Sequence, residues 1–281
     1  MVTKRSQGFT LIETLVAMLL SSLLIILVST TFLVQNQYYS MQTLHAGAHD
    51  NARVATERVA GELRSVMGGG LVVTGARTLT VRSPIVVGMV CDRQGNEVHV
   101  HFEGGAAGLD TDEVAGVAAR DSTTGAWTYV ASTWASIDVG STTSATSCAS
   151  EGAVTTGATG EFHTLGPLNP LFADALPKGI ALMLYRETTF KIQDSVLDPG
   201  RLGFFRRASG GSFVEFATGM DASAQFQYRT GGSTYADTIV AASLDAIDAV
   251  RMVADARKPA TSGGQEDVTF GWSVTVALPN L

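Results

Sequence analysis

Charge is scarce in this 281-residue chain: Asp, Glu, Lys and Arg make up 16 % of it, against roughly 25 % in a typical soluble domain. The balance is acidic, with 26 carboxylates against 19 basic residues and a net charge of −7. No stripe of lysine and arginine runs along the chain, which argues against nucleic acid as a partner over the whole surface. Catalytic patterns are missing as well. There is no Gly-x-Ser-x-Gly elbow, phosphate loop or dinucleotide fingerprint, so a membrane-anchored enzyme has no constellation to rest on. His45 and His49 are spaced to share a metal on a helix, but no His-Glu-x-x-His pattern surrounds them. His99 and His101 fall on one face of a strand, yet with five histidines in the chain such pairs arise by chance, and no metal or other cofactor is expected. Asp110, Asp112 and Glu113 form an acidic loop without the spacing and glycine of an EF-hand, which points to a solvated charge run rather than a calcium site. No repeat of fixed period is present.

Charge is scarcest of all from residue 9 to residue 34. These 26 residues carry one charge, Glu13, and neither glycine nor proline. About 20 apolar residues span a bilayer as a helix, so the run is long enough to cross one. Lys4 and Arg5 precede it and no cluster of basic residues follows closely, which puts the N-terminus in the cytoplasm and the remainder outside, in the periplasm if the cell has two membranes. A removed secretory signal peptide would have an apolar run of 7–15 residues followed by a small-residue cleavage site. Here the run is longer, and the small residue, Gly8, stands before it.

The stretch Gly8-Phe9-Thr10-Leu11-Ile12-Glu13-Thr14-Leu15-Val16-Ala17 resembles the prepilin signature shared by type IV pilins and type II secretion pseudopilins. The resemblance implies a leader of residues 1–8, cleaved by a membrane peptidase between Gly8 and Phe9, N-methylation of Phe9, and Glu13 as the fifth residue of the mature chain. It also implies the partners: a prepilin peptidase and methyltransferase, other minor and major pilins or pseudopilins, and an inner-membrane assembly platform. One departure is visible. Many major pilins carry a helix-kinking proline in the membrane half, and this run has none, which weighs against a major-subunit role. A carboxylate inside an apolar helix costs about 2.5–3.5 kcal/mol on insertion scales, so it is expected to have a partner. In a staggered array of subunits the free α-amine of one Phe9 would meet Glu13 of a neighbour. The alternative is a Glu13 solvated at the membrane face.

Beyond the membrane run the apolar residues Leu44, Ala48, Ala52, Ala55, Val59, Leu63 and Val66 recur every three or four positions, the mark of one helix face. Arg53 with Glu57, and Arg58 with Glu62, are spaced as i,i+4 ion pairs on the other face. Gly47 and Gly61 weaken the helix by about 1 kcal/mol each relative to alanine, and Gly68-Gly69-Gly70 is its expected end. The spacing thus predicts a continuous helix over 9–67, with membrane half 9–34 and amphipathic half 35–67. Its apolar stripe would be covered by the domain that follows, or by another chain in a coiled coil.

Residues 68–281 form a β-rich body. Strands are expected at 79–82, 85–90, 97–102, 180–185, 188–192, 202–206, 212–216, 224–229, 249–254 and 268–276, punctuated by glycines. Residues 104–160, rich in Gly, Ser, Thr and Ala, read as long loops with a few short strands. Trp127, Tyr129 and Trp134 could form an aromatic patch there, although packing is the commoner fate of such side chains. The fold class is therefore α+β: a long N-terminal helix packed on an antiparallel sheet, with a second sheet.

Three segments of the body carry a finer resemblance: Leu202-Gly203-Phe204-Phe205-Arg206-Arg207, residues 212–220, and Gln225-Phe226-Gln227-Tyr228. They are similar to the bodies of large PilW-type minor pilins and J-type minor pseudopilins, as is the closing pair of strands near 249–253 and 272–278. Cys91 and Cys148 are the two cysteines, and in a body facing an oxidising compartment they suggest one disulfide, the alternative being two unrelated buried thiols. The functional expectation is a minor pilin that helps start or prime a type IV pilus, with a minor pseudopilin of a secretion system as the alternative. A filament-borne adhesin or DNA receptor is less favoured, because 104–160 shows no basic cluster.

Overall fold

The computed structural model describes residues 10–102, 111–131, 137–138, 162–166, 168, 176–258 and 268–278. Helix α1, Leu11–Arg64, is unbroken over 54 residues, about 80 Å at 1.5 Å per residue. Four of the hydroxyls within its apolar half find a local acceptor on the helix itself. Thr14, Ser22, Thr30 and Thr31 donate to carbonyls three or four residues back at 2.8–2.9 Å, which satisfies them where no water is at hand. The helix ends three residues before the expected Met67. Ser65 caps it, its N–H reaching the carbonyls of Glu62 and Leu63. The glycines that follow serve the exit instead. Gly69 has φ +72°, and a Cβ on Gly70 would lie 2.8 Å from both the Met67 carbonyl and Val66 Cγ1, so this tight departure needs residues without side chains.

Fifteen strands are formed among the described residues: β1 (Leu71–Gly75), β2 (Thr78–Gln94), β3 (Glu97–Phe102), β4 (Gly116–Arg120), β5 (Trp127–Ala131), β6 (Ile137–Asp138), β7 (Phe162–Leu165), β8 (Ala181–Asp194), β9 (Leu202–Ala208), β10 (Val214–Met220), β11 (Gln225–Arg229), β12 (Ala249–Val253), β13 (Ala256–Lys258), β14 (Val268–Phe270) and β15 (Ser273–Ala277). The pairs are antiparallel. One sheet runs β14-β13-β10-β9-β8-β2-β3-β7-β6, with β1 added beside β2 and the β4–β5 hairpin beside β8; the other is β11-β12-β15. The α+β class with a long helix and a second sheet is what the periodicities predict.

Two expected pairs of short strands are in fact two long ones. Residues 79–82 and 85–90 belong to β2, whose register against β8 shifts between Pro84 and Val86. A bulge of this kind lets a strand carry a proline without losing its ladder. Residues 180–185 and 188–192 likewise fall almost wholly within β8. The opposite departure occurs at 268–276, which splits into β14 and β15 around Gly271 and Trp272. Within the segment that reads as long loops with a few short strands, β4 pairs along β8 and β5 pairs with β4.

The body has two main cores. In the first, the stripe of α1 (Ala48, Ala52, Ala55, Val59, Leu63) and Val66 packs with Leu79, Val81, Phe190, Ile192 and Phe204 of the large sheet and Phe226, Tyr228, Val250, Met252 and Val276 of the small one. The second core lies along the other end of β2 and β8 and contains Val90, Val98, Val100, Phe102, Val117, Leu165, Leu182 and Leu184. The stripe is therefore covered by the chain's own body, not left for a coiled-coil partner.

Candidate functional site

The N-terminal site is built on an exposed helix. Glu13 lies in the first turn of α1, where the helix dipole favours a carboxylate. Its backbone N–H bonds the Thr10 carbonyl at 3.0 Å. Around it Leu11, Ile12, Leu15 and Val16 are 50–83 % exposed, and the large aliphatic residues that continue to Val34 are exposed as well. Among the described residues, α1 is the one helix long and apolar enough to cross a membrane. A surface this apolar and this long needs a non-aqueous environment, either lipid or the helices of neighbouring subunits. Gly8 and Phe9, the residues flanking the expected cleavage, lie outside the described residues.

A second site, not foreseen from the i,i+4 pattern, joins the helix to the body. Glu62 was expected to face Arg58 on the solvent side. Instead it turns inward and is 9 % exposed. Its carboxylate accepts from Ser83 Oγ at 3.0 Å, from Arg206 Nη2 at 3.0 Å, and from Arg186 Nη2 at 3.3 and 3.4 Å. Arg186 also reaches Glu113 through Nη1 at 3.3 Å, which shows that the acidic loop at 111–113 is bound to the sheet by charge. Ser83 and Arg186 are register partners on β2 and β8, midway along each strand. The polar breaks that made each strand look like two are thus the place where the helix carboxylate lands. Burying a charge is costly unless its lone pairs are filled, and here four donor contacts from three side chains fill them. By contrast Arg53 and Glu57 pair at 3.7 Å on the exposed face, a contact worth a few tenths of a kcal/mol.

Next to this clamp, Tyr129 and Tyr185 meet edge to face at 5.2 Å, and the Arg82 guanidinium lies over both rings at 5.1 and 5.4 Å. Burial pushes the Tyr129 phenol up to about 12, so it stays neutral at any physiological pH. Trp127 packs beside them, and Trp134 lies outside the described residues. His49 stacks edge-on against Phe270 and Trp272 at 4.9 and 5.0 Å, and His99 is buried in β3. Among the described residues no cluster of His, Cys, Asp and Glu could hold a metal. Lys178 donates to Asp92 at 2.8 Å and holds that carboxyl below its ordinary range. Cys91 is buried in β2; Cys148 lies outside the described residues.

The family model described as the prokaryotic N-terminal methylation motif matches residues 3–29. No curated protein and no solved structure matches the chain. The motif, the exposed apolar helix that carries it and the antiparallel body behind it support a type IV pilin-like protein, a pilin or pseudopilin subunit that associates with the membrane and with filament components.

Proposed function

We propose that the chain is a minor pilin, a structural subunit that helps initiate or prime a type IV pilus, in the manner of PilW-type proteins. The observation that carries this reading is Glu13, the single carboxylate of the apolar run 9–34 on the exposed half of α1, inside a matched methylation motif. Absence of proline from 9–34 favours a minor over a major subunit. Before assembly the protein would sit in the inner membrane with its N-terminus in the cytoplasm and residues 68–281 in the periplasm. A minor pseudopilin of a type II secretion system is the second reading, since its leader and helix chemistry would be the same. Crosslinking in membranes followed by co-purification separates the two: recovery of secretion pseudopilins in place of pilins would overturn the first.

Processing is expected to leave a mature chain that starts at N-methylated Phe9, shorter by eight residues and two positive charges, those of Lys4 and Arg5. Mass spectrometry of the N-terminal peptide from membrane-extracted protein checks this, and an intact Met1 or a start beyond Val34 refutes it. Replacing Gly8 with a bulky residue should leave uncut precursor in the membrane.

Glu13→Ala should still insert and fold but should assemble poorly. The α-amine it would have met is left without its anion in a low-dielectric setting, a loss of about 3–5 kcal/mol per contact. Counting filaments on cells that carry only the variant measures the effect; wild-type numbers would remove Glu13 from the assembly role.

A disulfide between Cys91 and Cys148 is also proposed, from the even count and the expected oxidising compartment. Thiol labelling of the unfolded, unreduced chain should detect no free cysteine. Cys91→Ser should lower stability by about 2–4 kcal/mol. Two reactive thiols in the native preparation would disprove the bond.

A further inference from the structure

Beyond its place in a filament, the body carries a cleft that neither the clamp nor the N-terminal site uses. It has a volume of about 630 Å³, within the range of about 300–1,000 Å³ that small-ligand sites occupy. Its walls come from the glycine exit of α1, with Gly68 and Gly69, from the β4–β5 hairpin, with Arg120, Thr124 and Trp127, and from Asp245 of the 3-10 turn at Ala241–Ala246. The hairpin is a fixed frame. Asp121 Oδ1 accepts from the Thr123 and Thr124 N–H groups at 2.8 and 2.7 Å, and Arg120 Nε donates to the Gly125 carbonyl at 3.2 Å. Arg120 and Trp127 are direct cross-strand partners, so they stand side by side on one face of the hairpin.

We infer that this cleft binds a neutral sugar, one or more pyranose units of a glycan. Trp127 is packed on one side against the small cluster of Ala118, Met183 and Tyr185 and lines the cleft on the other. A half-buried indole held in this way offers a rigid apolar platform to the C–H face of a sugar ring. Hydroxyl groups need donors and acceptors around that platform. Arg120 supplies donors through its Nη groups, which have no partner among the described residues, and Asp245 supplies an acceptor that is likewise without a partner among them. The Thr124 hydroxyl and the bare Gly68–Gly69 backbone complete the polar wall. One cation and one anion leave the lining with no net charge, which favours a neutral, hydroxyl-rich ligand over an anionic or cationic one. Glycine at position 69 is fixed by its φ of +72° and by the Tyr129 ring, whose Cε2 would lie 3.2 Å from a Cβ there, so the wall cannot be filled by a side chain. Along α1, Arg64 lies thirty residues beyond Val34, about 45 Å further on the helix axis, so the cleft, lined by Gly68 and Gly69, is at the end of the helix remote from the apolar run.

The test uses the full chain in a zwitterionic detergent, because maltoside detergents carry a sugar headgroup. Cellotriose, maltotriose, chitotriose and a galactose trisaccharide are titrated calorimetrically, with trigalacturonate as the charged control. At least one neutral trisaccharide should saturate and perturb tryptophan fluorescence, and trigalacturonate should bind more weakly than it. Asp245→Ala and Arg120→Ala, both at exposed positions, should each weaken binding roughly 10- to 100-fold. Trp127→Phe, which keeps an aromatic platform, should retain part of the affinity that Trp127→Ala loses. The proposal is overturned if no neutral trisaccharide binds, if trigalacturonate binds best, or if the Arg120 and Asp245 variants bind as the parent does. It is also overturned if no sugar binds while a photo-crosslinker at Trp127 captures another filament subunit, since the cleft would then be a subunit contact.

Discussion

A fragment beginning at Gln35 is expected to be soluble and folded, and one beginning at Gly70 to aggregate. The first removes the exposed apolar run but keeps the stripe of α1 that packs between the two sheets. The second strips away Ala48, Ala52, Ala55, Val59, Ala60, Leu63 and Val66, all buried, and uncovers the aromatic and aliphatic residues beneath them. Fully burying a valine or leucine is worth about 1.5–3 kcal/mol, so Val59, Leu63 and Val66 alone account for a large part of a domain margin of about 5–15 kcal/mol. The newly exposed surface also joins the core of the small sheet, so the damage reaches both sheets. Size-exclusion chromatography and thermal melts of the two fragments decide the matter. Equal solubility and equal stability would mean that the helix contributes nothing to the body, contrary to the packing described above.

Glu62→Ala is expected to destabilise the Gln35 fragment by about 3–5 kcal/mol, the usual result of removing one partner from a buried charge cluster. Arg206 would lose its carboxylate at 3.0 Å. Arg186 would keep only Glu113, and Ser83 would lose its acceptor. Glu62→Gln should fall between the two, since an amide oxygen still accepts a hydrogen bond but brings no negative charge. Changing all three residues together, Glu62→Leu with Arg186→Met and Arg206→Met, should recover part of the loss, because an apolar replacement leaves no buried charge stranded and the Glu113 carboxylate that Arg186 releases is 42 % exposed. Urea titrations with an unchanged m-value measure these differences. A midpoint for Glu62→Ala within error of the parent would show that water has entered the clamp and solvated the arginines.

Sequence patterns disclosed the elements that have a strong period and hid those defined by tertiary contact. The apolar run at 9–34 is continuous and the stripe from Ala48 to Val66 recurs on one helix face, and both are legible. The alternation Glu97-Val98-His99-Val100-His101-Phe102 gave β3 to the residue. The clamp was obscured because Arg58 and Glu62 satisfy the i,i+4 rule, and a local rule cannot see that Ser83, Arg186 and Arg206 approach from the sheet. A signal did exist. Glu62 adjoins Leu63 and lies three residues after Val59, at the margin of the stripe, and Arg186 interrupts an apolar strand between Tyr185 and Phe190. Read together, a carboxylate beside a buried stripe and a guanidinium within a buried strand each need a partner, and they supply one another. The β4–β5 hairpin was hidden for another reason: Gly116, Ala118 and Ala119 are small residues with weak strand preference, and their pairing with β8 is what places them in a sheet.

The long ladder between β2 and β8 has a mechanical consequence. It contains eleven register pairs and runs past both cores, with the Glu62 contact near its middle. A filament subunit is loaded along its helix when the filament is pulled, and that load enters the body where α1 is fastened to it. Where the pull runs along the ladder, its hydrogen bonds are stressed together in shear instead of being peeled one after another from an end. Rupture then requires many bonds to fail at once, which slows forced unfolding without any change in equilibrium stability. Single-molecule pulling between Gln35 and Leu278 would register this as one high-force event spanning both cores, and Glu62→Ala would split it by letting the helix detach before the sheet yields.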